Sequence, residues 1–359
     1  MLSYYDRLAT GEQRSAYDAL AGALSQKAAY AYASCDADGA KAAYEGVICD
    51  NPRYCLAHPW PMFFYDGRSY SLEYLSIDED RFFTKLAKTE SKIREVYEGG
   101  RDTSDYALYK AIFDVLAGKI EYDYDAEQKY FAIRAQHQGR SIDELNLELM
   151  RYLRRNALVF SPYGALMQGK AVCNGIAKLY KLICDDFGLP CACVQARSIA
   201  NRTPDTPDSI GDQTTCDHLL NVIEIDGQSM FVDLTNGLAT DDLPMVKYDF
   251  FCVNYNVLKK ASLLRTSDLT ALGYGGTDNL YFEKNKLVFS QIGALCRYAA
   301  NFISKFHNGE LRMYYVGKSK SDDELGSIVE DVLMAHCPAH QAPHIVCQNG
   351  FINCVIVDR

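Results

Sequence analysis

Three side chains far apart in the chain, Cys173, His218 and Asp233, are the types needed for nucleophilic acyl transfer. Cys173 closes a glycine-bearing run, Tyr163-Gly164-Ala165-Leu166-Met167-Gln168-Gly169-Lys170-Ala171-Val172-Cys173-Asn174-Gly175, and opens an amphipathic helix. The first turn of a helix presents unpaired N–H groups and a partial positive charge, a setting in which a thiol can ionise. In such a set the thiolate attacks an acyl carbon. The imidazole holds the thiol proton and returns it to the leaving group, and the carboxylate fixes the imidazole tautomer and stabilises its cation. The backbone N–H of Cys173 could stabilise the developing oxyanion, and Gln168, five positions upstream, is a candidate side-chain donor beside it.

His218 and Asp233 flank Asp226-Gly227, a two-residue hairpin signal between two alternating apolar runs. That turn pairs Ile225 with Gln228, Leu220 with Asp233 and His218 with Thr235. His218 and Asp233 then become diagonal neighbours on one face, roughly 7–8 Å apart at their bases, within reach for an imidazole and a carboxylate. A three-residue turn would put Asp233 on the opposite face.

These residues resemble the transglutaminase-like superfamily, whose core is related to papain-type cysteine proteases. Residues 163–175 match the Tyr-Gly-Ala-Leu, glycine loop and Ala-Val-Cys-x-Gly pattern of its bacterial members. His218-Leu219-Leu220-Asn221, Asp226-Gly227 and Val232-Asp233-Leu234-Thr235 match its second signature, and Ile120-Glu121-Tyr122-Asp123 looks like the strand that precedes its loop. The resemblance covers about 105–240. It implies a Cys-His-Asp triad at Cys173, His218 and Asp233. It also implies an α+β papain-like core, in which a helix bearing the cysteine packs on an antiparallel sheet bearing the other two. Four family aromatics are absent: Leu220, Asn236 and the pair Ser229-Met230 stand in their places.

The elements that must position these groups follow from periodicity and punctuation. Residues 1–100 read as a mainly helical region, with a capping box at Thr10 and Gln13, a loop over 51–66 and a helix over 79–97. Residues 101–260 read as the catalytic core, with helices over 105–117, from Ser141 to about Arg155 and over 173–187. An extended Lys119–Tyr124, strands over 191–197, 218–225 and 228–233, and a mobile surface loop over 198–215 complete it. In the helix after Cys173, Ile176, Leu179, Tyr180, Ile183 and Phe187 share a stripe. Residues 261–359 read as a small α+β module. It comprises a helix over 288–306, a strand over 311–316, a helix capped by Ser321 and Glu324, and a hairpin turning at Asn349-Gly350.

Composition narrows the partners. The 359 residues carry a formal charge of -10, which repels phosphate backbones and argues against nucleic acid. No apolar run is long enough to span a membrane, and the start lacks the marks of a signal peptide. The 13 cysteines have no repeating spacing and read as reduced, buried residues, which favours a reducing cytoplasmic compartment. Cys191-x-Cys193 reads as strand packing, Cys216 as a neutral loop cysteine, and His336-Cys337-x-x-His340-x-x-x-His344 as solvated histidines because Pro338 breaks the helix a metal site would need. No phosphate-cradling motif is present, so no cofactor is expected.

The expectation is therefore a thiol enzyme acting on amides of a peptide or protein. Peptide-bond hydrolysis ranks first and glutamine amide exchange second. The 26 tyrosines suggest glycopeptide or cell-wall peptide as a further substrate class. The contrasting expectation, motivated by the absent aromatics, is a degenerate scaffold of the same shape that binds protein or glycan.

Overall fold

A computed structural model describes residues 3–33, 35–54, 57–58, 69–136, 142–199, 207–211, 216–272, 277–306 and 309–358. The fold is α+β. Its central element is a five-stranded antiparallel sheet in the order 251–253, 228–232, 218–225, 191–198 and 262–264. The helix Cys173–Asp186 lies against it. Ile176, Leu179, Tyr180 and Ile183 of the expected stripe are fully buried, each side chain worth about 1.5–3 kcal/mol on leaving water. The opposite face of this helix is buried too, because Ala177 packs with Tyr4, Leu8, Cys49, Cys193 and Leu219. An amphipathic pattern thus sits on a helix covered on all sides. Its two buried lysines are each held by a neighbour one turn away, Lys178 by Asn174 and Lys181 by Asp185.

The hairpin forms as the Asp-Gly signal predicts. Asp226 and Gly227 both have positive φ, 51° and 75°, the pair of values a tight two-residue turn requires. Ile225 pairs with Gln228 and Asn221 with Val232. Beyond that the expectation fails, since the strand stops at Val232 and Thr235 lies in the short helix Leu234–Gly237 rather than opposite His218. The cause is local. The Asp233 carboxylate caps that helix, and its N–H is taken by Phe250 O at 2.9 Å.

Other elements differ from the sequence reading in instructive ways. The glycine loop contains a π-helical turn, Gly164–Gln168, and the strand Glu121–Tyr122 pairs in parallel with Lys170–Ala171. The helices Ala37–Asp50 and Tyr124–Gln136 were not anticipated. The helix Glu79–Glu98 buries Phe82, Leu86 and Ile93 in the central core. Near the C-terminus, helices Ile292–Lys305 and Asp322–Met334 pack on the sheet 288–289, 310–315, 351–358, 341–348 around their own apolar cluster. Tyr314 and Phe351, stacked at 4.2 Å, join the central core instead. Most of the expected loop over 51–66, the Ser141 cap and much of 198–215 lie outside the described residues; within the last, Ile210 forms a bridge with Arg265. Among the described residues no helix is long and apolar enough to cross a membrane, and no two cysteines are joined by a disulfide.

Candidate active site

Three local devices bring Cys173 to the sheet. Backbone bonds from Glu121 N to Gly169 O (2.8 Å) and from Asp123 N to Ala171 O (3.0 Å) clamp the loop before it. Val172 N bonds Val159 O at 3.0 Å, and Val172 is the N-cap, so Cys173 is the first helical residue. Gly175 lets the helix approach this support closely, since a Cβ there would stand 2.7 Å from Ser161 O. Asn221 then ties helix to strand, its Nδ2 donating to Ala177 O at 3.0 Å.

His218 begins its strand opposite Ala196, 8% exposed, and Asp233 is 1% exposed at the end of the next strand. His218 Nε2 and Asp233 Oδ2 are 2.8 Å apart. The Cys173 thiol stands beside the same ring and is itself 9% exposed. With Nε2 committed to Asp233, Nδ1 is the nitrogen left to face the sulfur. Burial disfavours the imidazolium, but the Asp233 charge and hydrogen bond, with the contact to Cys173, outweigh it and raise the His218 pKa well above its ordinary value. Burial likewise opposes ionisation of Asp233, and His218 together with two hydrogen bonds from Asn236 overcomes it, so this carboxyl lies below its usual range. Both shifts point to the same buried ion pair.

Asn236 was passed over in the sequence reading except as a missing aromatic. Its Nδ2 donates to Asp233 Oδ2 at 2.7 Å, and its backbone N–H to Oδ1 at 3.3 Å. The signal was available: an Asn three residues after a capping Asp can reach back to it.

Cys173 and His218 open onto a cavity of about 420 Å³. Tyr122, Tyr130, Phe131 and Phe160 form much of its apolar wall, while Glu45, Lys178 and Gln195 line it with polar groups. Tyr122 also lies close to the Cys173 backbone and donates to Glu127 Oε1 at 2.6 Å. Gln168 is exposed and is not among the lining residues, because the π-turn carries it outward. Gln195 and Asn174 are side-chain amides that do line the cavity. Cys216 lines it as well, and burial pushes its thiol up. Cys191 and Cys193 are both buried in their strand, and His344 is exposed on the strand Gln341–Gln348. No group of three or more His, Cys, Asp or Glu among the described residues could hold a metal ion.

Comparison with known proteins adds little. No family model matches the chain, and no curated protein matches it. Among solved structures, one named "Crystal structure of a TGase" resembles it weakly, with a TM-score of 0.30 and 15% identity over 49% of this chain. The match spans 43% of that chain, less than half its length. A likeness this weak bears on neither the fold nor the chemistry of this chain.

Proposed function

We propose that this protein is a thiol enzyme that transfers acyl groups from amides, in a papain-like core spanning about 101–260 between an N-terminal region and a C-terminal α+β module. The observation that carries the reading is the convergence of Cys173 and His218 at the wall of one cavity, with Asp233 buried behind the ring and its Oδ2 2.8 Å from His218 Nε2. Asp233 and Asn236 hold the ring so that Nδ1 faces the sulfur. His218 takes the thiol proton, Cys173 attacks the amide carbon, and the imidazolium protonates the departing amine. Water then enters the vacated place and, deprotonated by His218, releases the acid. The backbone N–H of Cys173 serves as a main-chain donor for the oxyanion. Peptide-bond hydrolysis ranks above glutamine amide exchange, because water needs no dedicated acceptor site.

The test is to incubate the purified protein with a diverse synthetic peptide mixture and read products by mass spectrometry. Cleaved or deamidated peptides should appear, and should vanish in Cys173→Ser and His218→Ala. Methyl methanethiosulfonate, a small neutral reagent, should modify Cys173 faster than the other buried cysteines, and the advantage should disappear in His218→Ala. An unchanged mixture together with a Cys173 no more reactive than its neighbours would overturn the proposal and leave a scaffold of the same shape.

A further inference from the structure

The cavity beside Cys173 holds charges for which acyl transfer has no use. Three carboxylates line it, Glu45, Glu127 and Asp217, against one ammonium, Lys178. Each carboxylate is half-buried, and one oxygen of each has a neutral partner. Glu45 Oε2 accepts from Gln195 Nε2 at 3.0 Å, Glu127 Oε1 from Tyr122 at 2.6 Å, and Asp217 Oδ1 from Ser198 N at 2.8 Å. Among the described residues, none of the three is ion-paired with a lysine or arginine. Lys178 is 3% exposed, and its Nζ is turned to Asn174 Oδ1 at 2.6 Å.

Glu45 is the most telling of these groups. It belongs to the helix Ala37–Asp50, far in sequence from the residues that perform the chemistry. A carboxylate brought from there to the nucleophile's cavity, with one oxygen uncommitted, is an expensive feature for a wall that only needs to exclude water. Burial pushes its carboxyl up, and Gln195, Lys178, Arg265 and Lys41 only partly oppose that. An incoming cation would complete the compensation. The aromatic side chains of Tyr122, Tyr130, Phe131 and Phe160 that line the same cavity suit the same guest, since an ammonium is attracted to ring faces.

We propose that this cavity binds an alkylammonium group of the substrate beside the acyl carbon offered to Cys173, with Glu45 as its counter-ion. The proposal deepens the acyl-transfer reading and rests on it. The ammonium can belong to a peptide's free N-terminus or to a lysine side chain. Either source places a positive charge on one side of the bond that Cys173 attacks, and Glu45 selects such substrates over neutral or acidic ones.

Methanethiosulfonates separate the two claims. Each reagent gives Cys173 a mixed disulfide, the thiolate sulfur displacing methanesulfinate. The 2-aminoethyl, methyl and 2-sulfonatoethyl reagents carry a cation, no charge and an anion on nearly the same frame. Modification rates are read at the Cys173 peptide by mass spectrometry and normalised to the rates with free 2-mercaptoethanol. The cationic reagent should exceed the anionic one by about tenfold or more, as expected for a unit charge lining the same partly desolvated cavity. Glu45→Gln should lower that ratio at least about fivefold, and 1 M salt should lower it less than it would at an exposed site.

Dipeptidyl vinyl sulfones with a free N-terminus, an acetylated N-terminus, or an acetylated N-terminus plus a lysine side chain then identify the source of the ammonium. Equal normalised rates for all three methanethiosulfonates overturn the proposal. So do vinyl sulfones that label no faster when cationic. If Glu45→Gln does not fold, the wild-type ratio still decides. Failure of the parent reading shows differently, as a neutral reagent that ignores His218→Ala.

Discussion

Replacing Asp233 by Asn tests the ion pair at the centre of the site while leaving its shape in place. Asn can still cap the helix Leu234–Gly237 by accepting from Asn236 N, so the substitution removes charge more than structure. Both partners are buried, so breaking the pair should cost about 3–5 kcal/mol where it is ionised. The sign with pH follows from the two shifts. The raised His218 pKa gives stability that is fully present below the unfolded value near ~6.5 and is lost as pH rises through the folded value. The lowered Asp233 pKa gives stability that is present above about 4 and is lost as pH falls through the folded value. The variant's deficit should therefore peak between about pH 4 and 6.5 and shrink at alkaline pH. At about 2.1 cal/mol/K of unfolding entropy per residue, the peak deficit is about 4–7 °C in melting temperature for a chain of this length melting as one unit. Asn at this position can also donate to Nε2, which forces the ring proton onto Nδ1 beside the sulfur and removes the base. Amide turnover should then fall by about 10⁴-fold. Thermal melts across pH and turnover of the peptide mixture measure both effects. A melting difference that does not vary with pH, or turnover within a few-fold of wild type, would refute the ion-pair reasoning.

Two further substitutions test how the site is held. Asn236→Ala removes the 2.7 Å donor to Asp233 Oδ2 but keeps the backbone donor, so stability should fall by about 1.5–3 kcal/mol, and the acid limb of the pH–stability curve should move upward as the Asp233 carboxyl loses support. An acid limb that stays in place would dismiss Asn236 as a positioning residue. Gly164→Ala would set a Cβ 2.1 Å from Leu158 O and should cost about 3 kcal/mol while slowing modification of Cys173, whereas Gly22→Ala, on an exposed helical face with nothing within 4 Å, should stabilise by about 0.5–1 kcal/mol; chemical denaturation of the two variants gives both signs.

What could be read from sequence was local, and what escaped was spatial. The hairpin register at Asp226-Gly227 and the helices Asp105–Ala117 and Asp322–Met334 are written in turn and cap chemistry that needs only neighbours. The pairing of His218 with Asp233 followed from that register, although a cap rather than a strand pair holds Asp233. Gln168 was misjudged because a π-turn shifts side-chain directions in a way residue types do not announce. The helix Ala37–Asp50 is rich in alanine and glycine, so its apolar stripe is weak, and the helix Tyr124–Gln136 has almost no amphipathic pattern. Glu45 could not be seen at all from sequence, since nothing near it in the chain points to Cys173.

That last omission bears on how the site is built. The motif-bearing segment supplies the sulfur, the imidazole and the carboxylate, but not the whole cavity. Glu45 and Cys49 reach its wall from the helix Ala37–Asp50, and the same helix joins Tyr4 and Leu8 in covering Ala177, Cys193 and Leu219. Arg7 fastens this cover, donating to Cys193 O at 2.6 Å and pairing with Asp268 at 3.1 Å. Its guanidinium lies over the Tyr4 ring at 4.5 Å, so the cation, the ring and the strand carbonyl order one another. A segment trimmed to the motifs would expose this apolar patch and lose the carboxylate proposed to read the substrate. Asn236 supports Asp233 from within the segment, and the cavity's aromatic side chains are Tyr122, Tyr130, Phe131 and Phe160. On the proposed reading, the carboxylate that selects the substrate lies outside the motif, and catalysis depends on the helix Ala37–Asp50 staying docked beside His218.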